Sequence, residues 1–60
     1  MYINEEMKQD YDVIAVRSGQ SLVVEFSRVG GISGRVTEEG LKKVCSDGGY
    51  KYCIMESING

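Results

Sequence analysis

The stretch VGGISGRV, residues 29–36, places glycines, a hydroxyl group and an arginine close together. Exposed backbone N–H groups beside the Ser33 hydroxyl and the Arg35 guanidinium can bind an anion, especially near a helix N-terminus. A P-loop requires G-x-x-x-x-G-K-[ST], and this stretch has neither that spacing nor the lysine. A Rossmann fingerprint requires a parallel βαβ unit, whereas a hairpin is predicted before this loop. We therefore favour a structural turn or bulge, and keep a binding loop for a nucleotide-like anion as the alternative.

The three arginines of the chain, Arg17, Arg28 and Arg35, all lie in its middle part. Arg17 falls near Leu22 in the predicted hairpin, so we expect only Arg28 and Arg35 to converge on the glycine loop. Such a pair suits a phosphate, a carboxylate of a partner protein or a nucleic-acid backbone. Nucleic acid is the least favoured, because nine acidic residues outnumber seven basic ones and no aromatic residue interleaves with them. The predicted ligand- or partner-binding residues are Arg28, Gly30, Gly31, Ser33, Gly34 and Arg35.

Residue types that support catalysis are scarce. The chain has no histidine, which is the commonest general base and the usual partner of a nucleophilic serine or cysteine. Cys45 falls near the end of a predicted helix, where the helix dipole does not activate a thiol. Two cysteines without histidine do not complete the four ligands of a structural zinc site. We therefore predict a protein that is not an enzyme and that has neither a metal nor another cofactor.

The two cysteines and the N-terminal sequence both bear on localisation. Cys45 and Cys53 are predicted to be reduced core residues, although a bridge between them is the alternative because their elements can pack together. MYINEEMKQD is acidic where a signal peptide would be basic and then apolar, and no apolar run approaches the ~20 residues of a membrane span. We expect a cytoplasmic protein that does not bind membranes, in a host cell if it is viral.

Two alternating apolar runs predict a β-hairpin. DVIAVRS sets Ile14 and Val16 on one face, and SGQS supplies the glycine of a tight turn. LVVEFSRV then sets Leu22, Val24 and Phe26 on one face of the second strand. Residues 32–36, within the glycine-rich segment, are a candidate short third strand.

Helix signals occur at two places. TEEGLKKVCSDGG has Thr37 at the N-cap, Leu41 and Cys45 on an apolar stripe, and a glycine pair that ends the helix. NEEMKQDY begins with Asn4, another good N-cap residue, so residues 1–10 are predicted to form a short helical turn or a flexible acidic arm.

The segment YKYCIMESI predicts a last strand that is apolar on both faces. Such a strand is usually central in its sheet or covered by a second layer, which in a chain of sixty residues can be another copy of the protein. Four of its side chains are the predicted interface residues: Tyr50, Tyr52, Cys53 and Met55.

These elements predict a single small α+β domain over residues 1–60. Its sheet has three to four antiparallel strands with one helix on one face, in the order β-β-(β)-α-β, after the N-terminal helical turn. A chain this short buries only about 60% of its unfolded surface, so a partner subunit would add needed stability.

The function predicted first is that of a non-enzymatic binding protein, a homodimer that acts through protein–protein interaction. In its size and its lack of catalytic residues the chain resembles phage and plasmid accessory proteins that act by binding a host factor, so inhibition of a host or partner factor is part of this prediction. The alternative is a small-ligand binder that sequesters or senses a nucleotide-like anion at residues 30–35. A nucleic-acid-binding regulator is a weaker alternative, because the net charge is −2.

Overall fold

A computed structural model describes residues 3–56, which contain two helices and four strands. The strands form one sheet in the order β3-β2-β1-β4, in which β1 is antiparallel to β2, β2 is antiparallel to β3, and β4 is parallel to β1. Along the chain the elements are α1 (Glu5–Asp10), β1 (Val13–Ser18), β2 (Ser21–Ser27), β3 (Gly34–Val36), α2 (Glu38–Gly48) and β4 (Tyr52–Glu56). The predicted α+β class and element order are confirmed, and the sheet is mixed rather than wholly antiparallel.

The direction of β4 follows from the connection that precedes it. β3 and β1 run in the same direction, because both are antiparallel to β2. The helix α2 then returns the chain to the end of the sheet at which β3 began and carries it to the opposite edge. A strand entered through such a crossover is parallel to the strand it left, whereas a tight turn would have made it antiparallel.

Both helices begin and end at the residues that the sequence indicates. The Asn4 side chain accepts a hydrogen bond from an N–H of the first turn of α1, at 2.9 Å. In α2 the Thr37 hydroxyl oxygen accepts from the Gly40 N–H at 3.0 Å. Gly49, with φ +73°, ends α2 in the left-handed conformation, and its N–H donates to the Cys45 carbonyl. The predicted N-caps and the predicted glycine C-cap are therefore confirmed.

One face of the sheet, which we call the helix face, packs against α2 and holds the main core. Its side chains alternate along β1 and β2, as expected for strands with one buried face. The buried members are Val13, Ala15, Leu22, Ile32, Leu41 and Cys45, and the partly buried residues around them are Val24, Val29, Val36, Tyr52 and Ile54.

The opposite side of the sheet, which we call the second face, is also apolar. Ile14 lies at its centre, fully buried, and Val16 is 9% exposed. The residues that pair with these two on β2 and β4 are all partly buried. They are Val23, Phe26, Cys53 and Met55.

A β-bulge in β2 puts Phe26 on the second face. Ala15 pairs with Val24, but Ile14 pairs with Phe26, so Glu25 is an additional residue that has no partner of its own on β1. The extra residue reverses the alternation of side chains beyond it. The expectation that Phe26 shares a face with Val24 is therefore wrong.

The last strand is an edge strand rather than a central one. Within residues 3–56, β4 pairs only with β1. Tyr50 lies before the strand and is 40% exposed, and its ring contacts the backbone at Gly48. Of the two possibilities that the sequence left open, a central strand or a covered one, the second applies on the helix face, where α2 covers Tyr52 and Ile54. Neither helix within the described residues is long and apolar enough to cross a membrane.

Candidate binding surfaces

The glycine-rich segment is a turn that anchors one apolar side chain in the core. The Val29 N–H donates to the Ser27 hydroxyl oxygen at 3.1 Å, and the Ile32 N–H donates to the Val29 carbonyl at 3.4 Å. Ile32 is only 8% exposed and belongs to the core cluster on the helix face. The segment therefore has a structural role, the interpretation favoured from the sequence.

Two of its glycines are needed for backbone conformation. Gly31 has φ +87° and Gly34 has φ +70°, a region that side chains other than glycine rarely adopt. A Cβ atom added at Gly30, Gly31 or Gly34 would meet no atom within 4 Å. Close packing of the helix is therefore not the reason for these glycines. Gly30 and Ser33 are exposed.

Arg28 turns away from the glycine segment and binds the N-terminal part of the chain. Its Nε lies 3.4 Å from Asp12 Oδ1, and its Nη2 donates to the Tyr11 carbonyl at 3.3 Å and to the Lys8 carbonyl. The guanidinium also lies 5.7 Å from the centre of the Phe26 ring, a cation–π distance. These contacts fix the segment after α1 to the end of β2.

Arg35 lies on a different part of the sheet from Arg28. It is an exposed residue of β3 whose Cα pairs with Val23, so its side chain belongs to the second face. Arg28 follows the end of β2 at Ser27, which is four residues of strand, or roughly 13 Å at about 3.3 Å per residue, beyond Val23. The structure therefore does not bring Arg28 and Arg35 together. Arg35 forms no ion pair with a carboxylate of residues 3–56.

The N-terminus of α2 is occupied by carboxylates of the chain itself. Glu38 lies 2.8 Å from Arg17 and 3.0 Å from Lys42, and Arg17 also binds Glu56 at 3.0 Å. The hydrogen bond from Arg17, followed by that from Lys42, lowers the pKa of Glu38. The hydrogen bond to Glu38, followed by that to Glu56, raises the pKa of Arg17. A bound anion here would meet Glu38 and Glu39 in the first turn. This arrangement disfavours an anion at the end of the glycine segment.

Sequence reasoning did not find the Arg17 network. The expectation that only Arg28 and Arg35 belong to the site omits Arg17, which joins β1 to both α2 and β4. The spacing of Glu38 and Lys42, four residues apart on one helix, was a signal available in the sequence. The long-range partner Glu56 had no comparable signal, because it becomes a neighbour of Arg17 only through the parallel register of β1 and β4.

An open apolar groove of about 270 Å³ lies between the glycine segment and α2. No charged side chain of residues 3–56 lines it, and Val44 on its rim is 45% exposed. Its lining consists of Gly31, Ile32, Val36, Thr37, Gly40, Leu41 and Val44. The groove suits an apolar group and offers nothing to neutralise an anion.

The four predicted interface residues are divided among different surfaces. Tyr50 is exposed beside the end of α2, and Tyr52 packs toward the core on the helix face. Cys53 and Met55 are partly buried on the second face, next to Ile14 and Val16. Only Cys53 and Met55 therefore contribute to a common apolar surface.

The two cysteines are both free and lie on opposite sides of the sheet. Cys45 is buried in the core of the helix face, whereas Cys53 pairs with Ile14 on the second face. Burial, with a smaller contribution from Asp12, raises the pKa of the Cys45 thiol. This position does not activate Cys45 as a nucleophile. The part of the chain that the structure describes holds no cluster of three or more potential metal ligands.

No protein family model matches the chain, and neither a curated protein nor a solved structure matches it.

Proposed function

We propose that this chain is a non-enzymatic binding protein that occupies a surface of another protein and inhibits it. The observation that carries this proposal is the second face of the sheet, which is apolar although α2 covers only the opposite face. Its partly buried side chains surround Ile14 and Val16 and extend over three strands, β2, β1 and β4. The four surrounding side chains each keep part of their surface exposed, and adjoining apolar groups at a protein surface are typical of interaction sites.

The dimensions of the molecule support this assignment. The Cα atoms extend only 14 Å along the shortest axis. A sheet and one layer of helix, with about 10 Å between their centres, already take up most of that thickness. Within residues 3–56, α1 is fixed at the Phe26 end of the second face through Lys8 and Arg28, and we propose that a partner protein covers the end at Val23 and Met55.

The charges around this face indicate the chemistry of the partner. Arg35 stands beside Val23 and makes no ion pair within the described residues. Lys8 Nζ and the Arg28 guanidinium lie 5.6 Å and 5.7 Å from the centre of the Phe26 ring. We infer a partner surface with an apolar centre and at least one carboxylate positioned to bind Arg35.

The test first captures a partner with the tagged chain and then compares a matched pair of charge-reversal variants for their affinity to it. The tagged chain is used to isolate a stoichiometric partner from cells that express it, and the complex is then rebuilt from purified components. Arg35→Glu should weaken the rebuilt complex at least tenfold, since it replaces an attraction by a repulsion. Lys43→Glu makes the same charge change at an exposed position of α2 and should leave the affinity unchanged.

Equal affinities for the two variants would contradict the assignment of the second face. A nucleotide released by the purified chain on denaturation would instead support the alternative, an anion site at residues 30–35. That alternative has less support, because Arg28 is engaged with Asp12 and the nearby groove is apolar. A cytoplasmic location with reduced thiols is part of the proposal and agrees with the separation of Cys45 from Cys53.

A further inference from the structure

We propose that two copies of the chain join through β4, antiparallel and centred on Ile54, to form one continuous eight-stranded sheet. This inference goes beyond the proposed function, because it concerns the edge of the sheet and a second copy of the chain rather than the second face and a different protein.

The two edges of the sheet differ in how they are protected. β3 has only three residues, begins at Gly34 with φ +70°, and exposes Arg35. Short strands and charged side chains are the usual devices that prevent edge pairing. β4 has five residues, an unbroken register against β1 and no proline, and its one charged side chain, Glu56, stands at its last position. Among the described residues, β4 is therefore the edge that is open to another strand.

Backbone alternation identifies which groups point outward from β4. The Lys51 carbonyl accepts hydrogen bonds from Asp12 at 2.8 Å and Val13 at 3.1 Å, so Lys51 directs its backbone groups toward β1. Successive residues of a strand direct these groups to alternate sides. The N–H and C=O groups of Tyr52, Ile54 and Glu56 consequently face away from β1, toward the open edge.

Only one antiparallel register uses all of these outward groups. With Ile54 opposite Ile54 of the second copy, Tyr52 lies opposite Glu56 and Glu56 lies opposite Tyr52. Each of these three pairs is then a hydrogen-bonded pair, which exchanges two N–H···O bonds across the two-fold axis. A shift by two residues in either direction leaves one outward residue of each strand without a partner.

The side chains agree with this register. On the helix face the Glu56 carboxylate meets a tyrosine hydroxyl rather than a second carboxylate, so no like charges face each other. On the second face Cys53 lies opposite Met55 of the second copy, and both are partly buried apolar residues. The dimer would thereby extend both apolar layers across the junction, which is how a chain of this size gains core.

The first test uses Cys53 as a natural probe. Met55→Cys places a thiol opposite Cys53 of the second copy, in a pair that is not hydrogen-bonded, with about 4.5 Å between Cα atoms. This distance is within the range of a disulfide. Mild oxidation of the purified variant should give a covalent dimer that reductant separates. Val23→Cys places a thiol on the same face but away from the edge, and should stay monomeric on a non-reducing gel.

The second test removes one outward donor. Ile54→Pro deletes an N–H that β1 does not use and should convert a dimer to a monomer of 6.6 kDa in sedimentation experiments. Ile54→Ala loses the same apolar side chain but keeps the N–H, and should remain dimeric.

Four results would overturn the proposal. In the cross-linking test they are a Met55→Cys variant that does not cross-link, and a Val23→Cys variant that cross-links as well as Met55→Cys does. In sedimentation they are a wild-type chain that is monomeric at all micromolar concentrations, and an Ile54→Pro variant that dimerises like the wild type. All of these experiments use the purified chain alone, so their failure would be distinct from failure of Arg35→Glu to weaken partner capture.

Discussion

Alanine substitutions at Gly30 and Gly31 should change stability in opposite directions. The two glycines are adjacent and exposed, and a Cβ atom at either would meet nothing within 4 Å. Only Gly31 has a positive φ, +87°. The comparison therefore isolates the backbone conformation from any steric effect.

The magnitudes can be worked out from this difference. Alanine in the left-handed region costs about 1–2 kcal/mol, while the loss of glycine flexibility in the unfolded chain returns about 0.4–1 kcal/mol. Gly31→Ala should therefore lower the free energy of unfolding by about 1 kcal/mol. Gly30→Ala should raise it by about 0.4–1 kcal/mol, since only the second effect applies.

The assay is thermal and urea unfolding followed by circular dichroism, at equal protein concentrations. A difference of about 1–2 kcal/mol between the variants corresponds to a separation in Tm of roughly 5–15 °C in a domain of this size. Gly31→Asn should fall between Gly31→Ala and the wild type, because asparagine tolerates this conformation better than alanine. Equal Tm values for Gly30→Ala and Gly31→Ala would refute the account of this turn.

Three further outcomes are expected. Glu38→Gln should reduce the free energy of unfolding at neutral pH. The pKa of Glu38 is lowered in the folded state, so its contribution to the free energy of unfolding is complete above the ordinary pKa of 4.5 and disappears as acid protonates the folded carboxylate. Urea titrations of wild type and variant at several pH values check this, and a difference between them that does not change with pH would contradict it. Arg35→Ala should leave the free energy of unfolding within about 0.5 kcal/mol of the wild type, since its side chain is exposed and makes no ion pair within residues 3–56. An aromatic disulfide reagent should label Cys53 before Cys45, because Cys45 is buried. Faster labelling of Cys45 would contradict its position in the core. Because both thiols are free, reductant should not change the Tm.

The local features of this fold could be predicted from the sequence because short-range chemistry determines them. Asn4 and Thr37 accept hydrogen bonds as N-caps, Gly49 ends α2, and Arg17 pairs with Leu22 across the hairpin. Each of these depends on residues within a few positions in the chain. Side-chain type and spacing were therefore sufficient to predict the helix caps and the pairing across the hairpin.

The features that could not be predicted depend on contacts between distant parts of the chain. The parallel direction of β4 follows from the path of α2 over the sheet, and no residue of YKYCIMESI indicates it. Phe26 occupies the second face because Glu25 is an extra residue, and a bulge cannot be seen in a pattern that still alternates. Arg28 was expected near Arg35, but Asp12, sixteen positions earlier, binds it instead. The binding surface that we propose is therefore a face of the sheet rather than the loop at residues 30–35.

The bulge at Glu25 also has a consequence for how the sequence can change over evolutionary time. On one side of it, Leu22 and Val24 are constrained by the packing of α2, and on the other side Phe26 is constrained by whatever lies on the opposite surface. Mutations in the two halves of β2 are thus subject to separate selection, although the residues are neighbours in the chain. Deletion of Glu25 would restore ordinary alternation and leave Phe26 opposite Ile14 on the second face, because the residue that follows Val24 in a regular strand points to the other side of the sheet. A descendant of this protein could therefore lose this residue and keep both surfaces of the sheet, because the pairs on either side of the bulge already alternate.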